Sequence, residues 1–144
     1  MNLAKDCRST VIPGMAYQDC VKAIDWLEKA FGFERHAVYM DPDGKTVMHA
    51  EMSFGNGMIM LGSTSKESPY AKYRVQPDEV GGRETRSVSL IVSDAEAIYR
   101  SAKAAGAEIL FDLEQKPYGG KGFTCRDPEG YMWHIGEYDP WHTK

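Results

Sequence analysis

Apolar and polar positions alternate along this chain in two rhythms, one of strands and one of helices, and the series occurs twice. Val11 to Tyr17 is rich in apolar residues and reads as a strand, closed by the polar pair Gln18-Asp19. Asp19 is placed to cap a helix, because its carboxylate can accept from the unpaired N–H groups of a first turn. Val21, Ile24, Leu27, Glu28 and Phe31 follow at helical spacing, and Ala23, Trp26 and Ala30 widen the apolar face. Gly32 stands where a left-handed residue would end that helix. Phe33 to Met40, Thr46 to Phe54 and Met58 to Leu61 then read as strands. Asp41-Pro42-Asp43-Gly44 suits a type I turn, and Asn56-Gly57 is a hairpin signal because both residues tolerate positive φ.

The second half repeats the pattern. A strand at Val88 to Val92 leads to a cap at Ser93 or Asp94 and a helix over Ala95 to Ala105, stopped by Gly106. Strands follow at Ala107 to Leu113, Gly122 to Arg126 and Tyr131 to Gly136, with turns at Lys116 to Gly120 and Asp127-Pro128-Glu129-Gly130. The match is residue by residue. Ala23-Ile24, Lys29-Ala30, Gly32 and Glu34 return as Ala97-Ile98, Lys103-Ala104, Gly106 and Glu108, at a constant offset of 74. Pro42 and Gly44 return at 75, and Asn56-Gly57 aligns with Glu129-Gly130 at 73. An ordered series of landmarks marks an internal repeat. The expected fold is α+β: one domain over residues 1–144, made of two βαβββ modules (about 10–62 and 87–138) joined by a connector over 63–86. Neither module can bury a full core alone, so both are expected to contribute to one curved mixed sheet with the helices outside.

Composition narrows the function classes. The chain has 144 residues, 42% hydrophobic and 26% charged, within the range of an ordinary globular domain. Its net charge of −4 lacks the positive field of a nucleic-acid surface. No run reaches the 18 or so apolar residues of a membrane span. Met1 to Thr10 mixes Lys5, Asp6 and Arg8 without an apolar stretch, so no secretory leader is expected and the cytoplasm is the default location. Cys7, Cys20 and Cys125 form no C-x-x-C pair and read as reduced thiols.

The tandem βαβββ pattern, with Ala23-Ile24-Asp25-Trp26-Leu27 running to Phe31-Gly32-Phe33-Glu34, and with Arg126-Asp127-Pro128-Glu129-Gly130-Tyr131-Met132-Trp133, resembles the vicinal oxygen chelate superfamily. That superfamily includes glyoxalase I, bleomycin-resistance proteins and extradiol dioxygenases. His49-Ala50-Glu51-Met52 followed by Phe54-Gly55-Asn56-Gly57-Met58 is similar to its bleomycin-resistance-like or phosphonate-cluster branch. One scaffold serves several chemistries here, so the resemblance implies the fold and leaves the activity open.

Metal-dependent members carry one ligand, usually His or Glu, on the first and last strand of each module. The resemblance brings these positions onto Ile12, Met60 or Leu61, Ser87 and His134. Only His134 is a competent donor for a divalent ion, so no cofactor is expected. The alternative is a divalent metal at a displaced site. Strand alternation puts Val47, His49, Glu51 and Ser53 on the concave face and Met48, Ala50, Met52 and Phe54 beneath the helices. His49 and Glu51 are then ~7 Å apart along the strand, and His134 could join them. In that reading Glu51 or His134 is the catalytic base of a glyoxalase-like lyase or isomerase.

The remaining candidates line a pocket rather than perform chemistry. Met58 and Met60 alternate with Ile59 and Leu61, so one pair faces the cavity, with Trp133, Tyr131 or Tyr39 nearby. Such a floor suits a flat or bulky organic molecule. Tyr118 and Phe123 border the glycine-rich turn at 118–122. His36 reads as exposed, and Asp25, Glu28 and Lys29 as a solvated helix face. The connector carries Pro69, Pro77, Gly81-Gly82, Tyr70 and Tyr73, and reads as a segment packed over a pocket or a second subunit. The sequence therefore points to a metal-free small-molecule binder resembling bleomycin-resistance proteins. Its expected ligand contacts are His49, Glu51, Met60, Ser87, Tyr118, Phe123, Trp133 and His134. The resemblance implies a homodimer, with the ligand in a concave cavity or a groove between subunits.

Overall fold

A computed structural model describes residues 3–142. Its elements run β1 (Gly14–Tyr17), α1 (Cys20–Phe31), β2 (Glu34–Met40), β3 (Val47–Phe54) and β4 (Gly57–Ser63), then β5 (Val88–Ile91), α2 (Ala95–Ala104), β6 (Glu108–Gln115), β7 (Lys121–Arg126) and β8 (Met132–Gly136). This is the α+β order that the repeat predicts. The strands form two four-stranded mixed sheets, in the orders β1-β4-β3-β2 and β5-β8-β7-β6. One ladder per module replaces the single shared sheet expected from the sequence. In each, the first strand runs parallel to the last and the remaining pairs are antiparallel hairpins.

The chain divides into two compact units: one built from the chain up to Glu28 and Gly32–Arg74, the other from Lys29–Phe31 and the chain from Val75 onward. In the first, α1 begins at Asp19, whose side chain accepts from Lys22 N–H, and ends at Gly32 with φ 85°, a conformation that favours glycine. Ile24, Leu27, Ala50, Met52, Ile59 and Leu61 are all buried. Val21, expected on the apolar face, is 40% exposed. Asp25 and Glu28 are not merely solvated, because the Arg35 guanidinium on β2 donates to both carboxylates.

Two boundaries differ from the pattern. β1 begins at Gly14, because Pro13 has no N–H to donate, although its carbonyl accepts from Met60 N–H at 2.9 Å. The β3–β4 hairpin turns on Gly55-Asn56 rather than Asn56-Gly57, since Phe54 pairs with Gly57. Gly55 takes φ 56° at the first central position, the type II′ arrangement. The Asp41–Gly44 turn forms as expected, with Gly44 N–H donating to Asp41 O.

In the second unit α2 packs on β6, β7 and β8. Asp94, not Ser93, caps it, accepting from Ala97 N–H. Trp133, Phe123, Cys125 and Ile135 are buried, and the Trp133 ring lies 5.2 Å from that of Phe31. The latter half of the connector belongs to this unit. Pro77 opens a short 3₁₀ turn (Pro77–Val80), Arg126 donates to Gly82 O, and Glu84 accepts from Met132 N–H.

Candidate functional site

The side chains that could meet a ligand follow from the pleat of β3. Ala50 and Met52 are buried on the face turned toward α1, where Arg35, the register partner of Met52, reaches Asp25 and Glu28. His49, Glu51 and Ser53 therefore lie on the opposite, open face. Val47 and Met48 break the expected alternation: Val47 is buried and Met48 is 62% exposed, next to the register shift between Tyr39 and Met40.

On the open face His49 Nε2 lies 2.9 Å from Glu51 Oε2. A carboxylate only accepts, so the imidazole donates through Nε2, and in the neutral ring Nδ1 is left as an acceptor. Tyr39, directly opposite His49 on β2, stacks on its ring at 6.0 Å and 25°. A register shift between Arg35 and Ala37 brings His36 to the same carboxylate, with Nε2 at 3.9 Å from Glu51 Oε1. That distance allows electrostatic attraction but is too long for a hydrogen bond. Met60 faces Glu51 across the β3–β4 ladder, and Met58 faces Ser53. Of the two alternating pairs, Met58 and Met60 hold the open face, while Ile59 and Leu61 are buried.

The second unit builds a different group. His134 Nδ1 lies 3.0 Å from Thr124 Oγ1, and Ser89 stands opposite His134 on β5. Ser87 precedes that strand and is exposed, so register makes Ser89 the neighbour of His134. Trp133 and Phe123, expected as ligand contacts, are core residues at 0% and 2% exposure, because alternation puts both on the face opposite His134. The Trp133 indole N–H donates to Asp127 Oδ2 at 3.1 Å. Tyr118 is exposed and meets Tyr138 edge-on at 5.0 Å.

Titration marks structure more than chemistry. Burial pushes the Cys125 thiol up to about 12, which keeps it protonated and unreactive. Burial also raises Glu84 above the usual carboxylate range. Glu137 is held below that range by the backbone N–H groups of Lys121 and Ala95.

The metal positions of the resemblance can now be tested against the ladders. Ile12 precedes β1, and the residue paired with Met60 is Gly14, which has no side chain. Leu61 is buried. The corresponding residues of the second module are Ser89 and His134. Neither the glycine and thioether of the first unit nor the hydroxyl and single imidazole of the second supply the donor set a divalent ion needs. Nor do the described residues contain a group of three or more His, Cys, Asp or Glu able to hold a metal. His49 and Glu51 bond each other in the first unit, and His134 bonds Thr124 in the second.

Sequence reading missed His36, because a bulge that turns one residue toward its neighbour leaves no trace in simple alternation. Tyr39 was legible only as a nearby aromatic.

Comparison with known proteins places the fold. An uncharacterized protein of Mycobacterium tuberculosis is 27% identical over 135 residues, covering 94% of this chain and 78% of that protein. The crystal structure of TioX from Micromonospora sp. ML1 superimposes with a TM-score of 0.69 at 30% identity, covering 91% of this chain and 99% of that one. The fosfomycin resistance protein FosX from Listeria monocytogenes has the same fold, with a TM-score of 0.62 at 11% identity and coverage of 91% and 92%. No helix among the described residues is long and apolar enough to cross a membrane. The two mixed sheets with their helices are the α+β vicinal oxygen chelate fold. A family model matches residues 11–135, and the chain belongs to the glyoxalase/bleomycin resistance protein/dioxygenase superfamily.

Proposed function

We propose that this protein binds a small organic molecule without a metal, on the open face of β2, β3 and β4. The observation that supports this is the hydrogen-bonded His49–Glu51 pair, half-buried at 39% and 24% side-chain exposure, beside the stacked ring of Tyr39 and the thioethers of Met58 and Met60. Binding sites of this kind combine a few oriented polar groups with aromatic and adaptable apolar surface. The polar pair is pre-organised, since Glu51 fixes the imidazole before any ligand arrives. His134 with Thr124, and Tyr118 with Tyr138, belong to the second unit and are not part of this proposed site. The working unit is taken to be a cytoplasmic homodimer whose 144 residues form one domain of two modules.

The test is a ligand screen by thermal shift on EDTA-treated protein, followed by titration of any hit into wild type and Glu51→Gln. A ligand that binds only the folded state raises the melting temperature with its concentration. The variant is expected to keep the apo melting temperature and lose roughly tenfold in affinity, about the worth of one charge-assisted hydrogen bond. An unchanged affinity would remove Glu51 from the site. A ligand that stabilises only after metal is restored would refute metal-independent binding.

A further inference from the structure

Resting on that small-molecule reading, the composition of the open face also specifies the ligand. Across the β2–β3–β4 ladders its register positions hold Glu34 opposite Ser53, Ala37 and Met60 opposite Glu51, and Tyr39 opposite His49, with His36 added by the bulge. These positions carry two carboxylates and no lysine or arginine. Arg35 lies on the same strand but is turned to the other face, where Asp25 and Glu28 hold it.

The hydrogen-bonding character leans the same way, with the Tyr39 and Ser53 hydroxyls able to donate or accept. An ionised carboxylate offers about four acceptor sites and no donor. His49 fills one site on Glu51, and a neutral ring donating there through Nε2 keeps an acceptor at Nδ1. A face that is negative and rich in acceptors leaves N–H groups on a ligand better paired than carbonyls or carboxylates. Beside it, the nearly parallel rings of Tyr39 and His49 offer a flat surface to a planar cation.

We infer that this face takes a planar aromatic cation carrying N–H donors, an amidinium or guanidinium on a ring system, with His36 as a specificity-determining residue beside Glu51. The N–H edge of such a group points at Glu51, and the ring lies along Tyr39. His36 borders the free Oε1 oxygen, so it sets how the donor group approaches.

Four naphthalene probes of one shape separate the contributions: 2-naphthamidine, 2-naphthamide, 2-naphthoate and 2-naphthyltrimethylammonium. Each is titrated at pH 8, above the ordinary imidazole range, while backbone amide shifts of β2–β4 are followed by NMR. The amidine is expected to bind at least roughly tenfold more tightly than the amide, with the trimethylammonium between them and the carboxylate weakest. His36→Ala, at a side chain 60% exposed, leaves the fold intact. It is expected to reduce the amidine's advantage over the amide. Equal binding of all four, or preference for the carboxylate, overturns the inference while the small-molecule reading stands. Shifts confined to other strands, or absent with every probe, overturn both. An amidine preference untouched by His36→Ala overturns the role given to His36.

Discussion

The two modules repeat a backbone but not a surface. Along the open face, the register triple Gly14, Met60 and Glu51 of β1, β4 and β3 corresponds to Ser89, His134 and Thr124 of β5, β8 and β7. In the first module an imidazole stands on β3 and partners a carboxylate; in the second one stands on β8 and partners a hydroxyl. A repeated ladder therefore preserves positions, while the chemistry at each position is free to change. The stacked imidazole–carboxylate pair belongs to the first module, whereas the second pairs Arg126 with Glu108, so a ligand with N–H donors is assigned to the first sheet.

The cores differ in the same complementary way. β3 and β4 contribute Ala50 and Ile59 where β7 and β8 contribute Phe123 and Trp133, all of them buried. Bulk comes from the helix in the first case, through Trp26 and Leu27, and from the sheet in the second, where Phe31 meets Trp133 and α2 buries only Ala95 and Ala102. Helix and sheet share one packing volume, so large residues on one layer require small ones on the other.

This contrast predicts unequal costs. Trp133→Ala should destabilise by about 4 kcal/mol or more in denaturant unfolding, and by more than Ile59→Ala, since it deletes the largest buried side chain and a donor to Asp127. A smaller loss than Ile59→Ala would mean that the two cores are not complementary. Trp133→Phe should recover most of the packing but not the hydrogen bond.

Acid stability should separate the ends of β4 and β8 next. Glu137, at the end of β8, has its carboxyl held low by two backbone N–H groups, whereas Ser63, at the end of β4, accepts from Val47 N–H without titrating. A carboxyl lowered in the folded state contributes stability that is present above its unfolded value and lost as pH falls through the folded one. Glu137→Gln should therefore flatten the acid limb of stability below about pH 4.5. An acid limb as steep as wild type would place the titration elsewhere.

The smallest effects concern how each helix is tied to its edge strand. Arg35 holds Asp25 and Glu28 in the first module, while Tyr99 on α2 donates to Asp112 on β6 in the second. Both ties are exposed, so Arg35→Ala should cost about 1 kcal/mol or less and Tyr99→Phe should lower the denaturation midpoint only slightly. Only the Arg35 effect should shrink with added salt, because it rests on a pair of full charges. Equal salt sensitivity would show that the tyrosine tie is electrostatic as well.

Much of this architecture was legible in the chain. Helical spacing with Asp19 and Gly32 at its ends located α1, and the 74-residue offset carried that reading to α2. The sequence also singled out His49 and Glu51 as neighbours on one face. What it could not supply were features decided by the ladder: the turn at Gly55-Asn56, the bulge that brings in His36, and Ser89 rather than Ser87 beside His134. Trp133 shows the same limit from the other side. An aromatic next to a candidate ligand looks like a pocket wall until register puts it on the buried face.

The central proposal is that the open face binds its ligand without a metal. It is tested most directly by a thermal shift on EDTA-stripped protein with nickel, zinc, manganese, iron(II) and cobalt added singly in excess. A metal held by the folded state must raise the melting temperature according to its affinity. The account predicts no rise with any ion. A clear rise with one of them, abolished in His134→Ala or His49→Ala, would contradict it and turn the search toward glyoxalase-type chemistry.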